Sequence, residues 1–127
     1  MINFNVDSVF NLVTIPIESI RKEVDGFLVD GEYAVEAFRT VRDQLIFTNK
    51  RIISIDVQGL TGMRKSFTSM PYSKIQFFTV QTPGFLEVIA DTELDLLFSN
   101  GFKATFEIKG KVDIGKISRV ISTYVLG

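Results

Sequence analysis

The seventeen-residue stretch Glu93-Leu94-Asp95-Leu96-Leu97-Phe98-Ser99-Asn100-Gly101-Phe102-Lys103-Ala104-Thr105-Phe106-Glu107-Ile108-Lys109 decides the fold. From Phe102 to Lys109 apolar and polar residues alternate without exception. Residues 93–98 alternate through Leu94, Leu96 and Phe98, and only Leu97 breaks the polar face. A period of two puts one face in a core and the other in water, the pattern of an antiparallel sheet. Asn100-Gly101 between two such runs signals a two-residue hairpin, so the runs are expected to be paired neighbours.

Working outward, the same period recurs at residues 33–41, 44–49, 51–57, 64–70 and 75–82, giving seven candidate strands. Asn49-Lys50, Gly59-Leu60-Thr61-Gly62 and Pro83-Gly84 supply the turns between them. Beyond the last strand the period changes to 3.6. Asp113 is placed to cap a helix over 113–126, whose stripe Ile117, Val120, Ile121 and Tyr124 faces a core. At the other end, residues 1–31 read as a helical extension. Asp7-Ser8 caps a short turn through Val9, Phe10, Leu12 and Val13, which Pro16 ends. Ile17, Ile20 and Val24 then share one face of a second short helix that stops at Gly26. No repeat or linker divides the chain, so residues 1–127 read as one domain with its sheets over 32–110. The fold class is mainly β: a seven-stranded antiparallel barrel or sandwich with open edges, capped by the C-terminal helix.

Two strands carry apolar residues on both faces. Tyr33, Val35, Ala37 and Val41 lie on one side of the first strand and Phe38 on the other, and Phe77-Phe78 splits in the same way. Such strands favour packing between subunits, unless the segment at residues 17–24 covers them within one chain.

Composition narrows the chemistry. Apolar residues make up 46% of the 127, with 12 Phe, enough to fill a barrel interior and leave no space for a carried small molecule. There is no Cys and no His. Thiol nucleophiles, disulfides, thiolate or imidazole metal sites and imidazole acid–base catalysis are therefore excluded. With 14 Lys and Arg against 15 Asp and Glu the net charge is −1, which argues against bulk attraction to nucleic acid or to an anionic membrane. The first charge is Asp7, and the apolar region 9–17 is broken by Asn11, Thr14 and Pro16, so no secretory signal is read. No run approaches the roughly 20 apolar residues that span a bilayer. A soluble, cytoplasmic protein is expected.

The run Arg42-Asp43-Gln44-Leu45-Ile46-Phe47-Thr48-Asn49-Lys50-Arg51-Ile52-Ile53 resembles the signature of the small bacterial pleckstrin-homology-like domains. So do Pro71-Tyr72-Ser73-Lys74-Ile75, the Gly31-Glu32 start of the first strand, and the terminal helix. The resemblance covers residues 17–126. It implies seven strands in two orthogonal sheets, with the last helix plugging one end. It further implies a homo-oligomeric ring of about five copies, with a heterologous interface whose rotation closes. The function it implies is protein interaction or scaffolding, with no cofactor and no catalysis.

Candidate sites are few. Glu87, Asp91, Glu93 and Asp95 form an acidic stretch, but Ile89, Ala90 and Leu94 interrupt it and there is no tight glycine bend to converge oxygens on a cation. The stretch reads as a solvated strand face. Neither a Ser-x-x-Lys step nor a Gly-x-Ser-x-Gly elbow is present, and Gly59-Leu60-Thr61-Gly62 lacks the Lys-Ser/Thr ending of a phosphate loop. Arg39, Arg42, Lys50 and Arg51 are the cations available to meet an anionic lipid headgroup or another phosphorylated ligand, the alternative reading. Arg64 and Lys65 are adjacent in a strand and point to opposite faces. The Thr48-Asn49-Lys50-Arg51 step is the most specific motif. Its physics is that of a turn, Asn49 tolerating a left-handed backbone and Thr48 bonding locally, and it is also a candidate interaction surface.

Overall fold

The computed structural model describes residues 6–82, 91–110 and 112–127. Eight strands, β1 (Val6–Ile15), β2 (Ala34–Arg39), β3 (Gln44–Thr48), β4 (Arg51–Gln58), β5 (Arg64–Pro71), β6 (Ile75–Gln81), β7 (Asp91–Phe98) and β8 (Lys103–Lys109), precede one helix, α1 (Ile114–Val125). They lie in the order β5-β4-β3-β2-β1-β8-β7-β6, a single curled sheet that forms an open half-barrel. All seven expected strands are present. The expectations of a seven-stranded, wholly antiparallel fold, of two orthogonal sheets and of a helical N-terminus are corrected: β1 is an eighth strand, it pairs parallel with β8, and all eight lie in one sheet.

Strand β1 replaces the expected capped turn. Val6, Val9, Val13, Thr14 and Ile15 are β-branched, and such side chains suit an extended backbone better than a helical one. Its first part runs parallel to β8 (Val6↔Lys103 to Leu12↔Ile108), and Val13–Ile15 pair antiparallel with β2. Between Val9 and Leu12 the register shifts, and Asn11 has φ 62°, in the left-handed region that Asn tolerates better than most residues. This bulge breaks the period of two and leaves a spacing of three that imitates a helix. Residues 6–15 thus join the two flanks of the sheet.

The expected helix over 18–25 is two 3-10 turns, Ile17–Ser19 and Lys22–Gly26, with Ile20 and Arg21 extended between them. Here the chain bonds to the sheet instead of to itself. The Gln44 side chain accepts from the Arg21 amide (2.9 Å) and donates to the Ser19 carbonyl (3.1 Å). A short helix is costly to nucleate, so two such bonds suffice to divert it. The apolar stripe still does its work: Val24 is buried, and Ile20 and Leu28 pack beside it over Ile15, Ala37, Ile46, Ile53, Ile55 and Val57.

On the concave side Phe38, Phe47 and Phe106 meet edge to face, at 5.7 Å and 6.3 Å between ring centroids. Leu12, Leu45, Ile52, Leu94, Leu96 and Ile108 fill the rest, and Ile117 and Ile121 of α1 complete this core. Val120 and Tyr124 pack partly buried against it, Tyr124 over Tyr72 at 5.8 Å. Asp113 caps α1, its Oδ1 accepting from the Lys116 amide at 3.0 Å. Phe78 packs against the core while Phe77 stands half exposed. The hairpin joining β7 to β8 has a three-residue loop, not the expected two. Gly101 N–H donates to Phe98 O and Phe98 N–H to Phe102 O, both at 2.9 Å. Among the described residues of this loop only Gly101 has positive φ, so the paired left-handed residues of a two-residue turn are absent. The Pro83-Gly84 turn lies outside the described residues.

Candidate functional site

The turn between β3 and β4 is built around one buried hydroxyl. Thr48 Oγ1 accepts from the amides of Lys50 (3.1 Å) and Arg51 (3.0 Å), fixing the turn locally, and donates to Glu32 Oε2 at 2.6 Å. The Glu32 side chain is fully buried. It takes a two-pronged contact from Arg51, Nε to Oε2 and Nη2 to Oε1, each 2.9 Å, and accepts from the Val29 amide at 3.1 Å. Arg51 also donates to the Phe27 carbonyl and to Ser69 Oγ (3.2 Å). Tyr72 closes the knot from below, its hydroxyl donating to Thr48 O at 2.6 Å.

Burial alone pushes the Glu32 carboxyl up. The Arg51 guanidinium, the Thr48 hydroxyl and the Val29 amide together outweigh that and hold it below the usual carboxylate range. The Tyr72 hydroxyl is pushed far up, first by burial and then by the charge of Glu32, so it remains a donor. Asn49 is not left-handed, contrary to expectation. Its side-chain amide spans the neighbouring chain instead, accepting from the Tyr33 amide (2.9 Å) and donating to Gly31 O (3.1 Å). The side chains of Thr48, Asn49 and Arg51 are thus consumed in tying the start of β2 to the β3–β4 turn. Glu32 and Tyr72, its centre and its floor, carry no spacing signal of their own. Nineteen positions separate Glu32 from Arg51, and only the family resemblance points at either residue.

The other cations are not gathered with Arg51. Arg39 and Arg42 flank the β2–β3 turn, at the opposite end of β3 from Lys50 and Arg51, about 17 Å of strand away. Arg42 Nη2 donates to the Gly59 carbonyl, which seats the β2–β3 turn against the β4–β5 loop. Val41, Leu60 and Met63 on these two tips are 94%, 106% and 81% exposed. Arg39 Nη1 donates to the Thr40 carbonyl at 3.3 Å.

The acidic strand is engaged with its neighbours. Gln81 Nε2 donates to Glu93 Oε2 (2.7 Å) and Asp95 Oδ2 (2.8 Å), Thr105 donates to Asp95 Oδ1 (2.8 Å), and Lys109 meets Asp91 at 3.3 Å. Asp95 beside it raises the Glu93 carboxyl above its ordinary range, with help from partial desolvation and from Glu107 across the ladder. Glu87 lies outside the described residues. Among the described residues no three ligating side chains converge on a metal position, and no helix is long and apolar enough to cross a membrane.

Comparison with known proteins agrees with this architecture. The chain is 38% identical over 89 residues to the uncharacterized protein YjqA of Bacillus subtilis, 70% of each chain. A solved protein with a pleckstrin-homology domain from Shewanella loihica is 34% identical, with 92% of this chain and 99% of that one superposed at a TM-score of 0.70. A pleckstrin homology domain from Shewanella amazonensis is 36% identical over 89% and 90% of the chains, with a TM-score of 0.61. The family model described as Bacterial PH domain matches residues 3–125. On its fold, its turn motif and its relatives, this chain belongs to the bacterial PH domain family.

Proposed function

We propose that the protein is a non-catalytic interaction module that self-associates. One observation carries the reading: the polar side chains around Glu32 and Arg51 are spent internally while the apolar tips are not. Thr48, Asn49, Arg51, Glu32 and Tyr72 all bond within the fold, whereas Val41, Leu60 and Met63 stand in solvent on two turns that the Arg42–Gly59 hydrogen bond joins. Large apolar side chains clustered at a surface mark interaction sites. Of the two-sided strands, β2 is covered on its outer face within one chain by Ile20, Val24 and Leu28, whereas β6 still leaves Phe77 half exposed for a second copy. A ring of copies, the form the family resemblance implies, remains the proposed assembly. Sedimentation velocity of a Leu60→Asp, Met63→Asp variant tests it. A smaller species than wild type, with the melting temperature kept, is expected; unchanged sedimentation would remove the tips from the interface.

The same tips favour one second reading, contact with an anionic lipid surface, because Arg39 and Arg42 flank Val41 in the chain and Arg64 follows Met63. Lys50 and Arg51 take no part in it. Retention on phosphatidylserine vesicles at physiological salt, lost on Arg39→Ala with Arg42→Ala, would favour this reading over self-association.

A further inference from the structure

The half-barrel is unfinished along one edge. Among the described residues β5 is a terminal strand, so alternate backbone N–H and C=O groups on its outer side meet no described strand. Its ladder with β4 is regular, eight consecutive pairs from Arg51↔Pro71 to Gln58↔Arg64 without a shift. Its middle, Ser66-Phe67-Thr68-Ser69-Met70, carries no charge. Edge strands are ordinarily blunted by bulges, charges or proline. Here Pro71 stands only at the end, whereas the other free edge, β6, is broken by a register shift between Ile75 and Phe77. Beside β5 an open groove of about 330 Å³ runs to the β7–β8 hairpin, lined by Met70, Phe98 and Phe102, with Lys74 at its lip.

Charge says what would fit. From Val57 to Thr82 the chain has no acidic residue, and it has three cations, Arg64, Lys65 and Lys74. Lys65 meets Glu23 at 3.4 Å, but Arg64 and Lys74 have no acidic partner among the described residues. Neither free edge offers an acid, so pairing β5 with β6 of a second copy brings no complementary charge.

We propose that the β5 edge takes an extended segment of a partner protein as a ninth strand. An apolar side chain of that segment sits between Met70, Phe98 and Phe102, and acidic residues at its ends meet Arg64 and Lys74. Backbone pairing gives such a contact its affinity, and the groove and the two cations give it specificity. This deepens the interaction-module reading by naming a partner's chemistry, and its readout does not depend on self-association.

The probe is a labelled ten-residue synthetic peptide that alternates Thr with Val and Leu and carries two Glu at each end. Its binding to the full chain is followed by fluorescence anisotropy and by amide hydrogen exchange. Saturable binding is expected, with every second amide of β5 exchanging at least tenfold more slowly in the complex. Arg64→Glu with Lys74→Glu, both at exposed positions, should weaken binding about tenfold while the melting temperature is kept. A peptide with Lys in place of Glu should be weaker by a similar factor. The proposal is overturned by unprotected β5 amides, by equal binding of the two peptides, or by β5 amides already protected without peptide in a multimer, which would put a second copy on the edge.

Discussion

Glu32 is the centre on which the turn is built, because Thr48, Arg51 and the Val29 amide all converge on it. Glu32→Gln keeps the shape but removes the charge that Arg51 faces. Breaking such a pair strands the partner, and a loss of about 2–4 kcal/mol is expected at neutral pH, read by urea denaturation. Because the folded carboxyl lies below its ordinary value of 4.5, its contribution is fully present above that pH. It is lost as pH falls through the folded value. Wild type should therefore lose melting temperature as pH falls below about 5, and Glu32→Gln should lose less over the same range. Parallel pH curves for the two proteins would show that the carboxylate is not held as described. Half of this knot was legible in the sequence: Thr48 reads as a turn residue from its chemistry alone. Its acidic centre did not, since a charge between Gly31 and Tyr33 looks solvated until the fold folds Arg51 over it.

Among the elements, β1 is the one the sequence concealed. A strand with an extra residue at Asn11 serves two partners, and the phase slip removes the alternation by which strands are recognised. Asn11→Val should cost about 1–2 kcal/mol, the strain of a β-branched residue at φ 62°, and Asn11→Gly should be close to neutral. Equal effects of the two changes in thermal denaturation would argue against the bulge. β7, β8 and α1 were legible because each keeps one period, broken in β7 by Leu97 alone, and buries one face. For α1 the consequence is quantitative. Ile117→Ala or Ile121→Ala, both at sites within the core, should cost about 2–5 kcal/mol. Lys116→Ala, which loses only a partly exposed ion pair to Glu36 at 3.4 Å, should cost under about 1 kcal/mol. A helix waiting for a partner would give the reverse, with little thermal effect from the isoleucines and a loss of association.

At the scale of the molecule, what the sequence could tell was set by what it lacks. Without Cys or His, and with acids and bases nearly balanced, it pointed away from catalysis and toward surfaces, but a surface is made by topology. Val41 and Leu60 are nineteen residues apart, and nothing in their spacing shows that the Arg42 bond to Gly59 brings their turns together. The free edge of β5 is likewise a property of strand order, which periodicity does not encode. Self-association is the claim on which the functional account rests, and the absolute mass in solution tests it most directly. Multi-angle light scattering from micromolar to millimolar concentration should give a whole-number multiple of the 14.3 kDa chain, near fivefold if the ring closes as the family resemblance implies. A mass of one chain across that whole range would contradict the account.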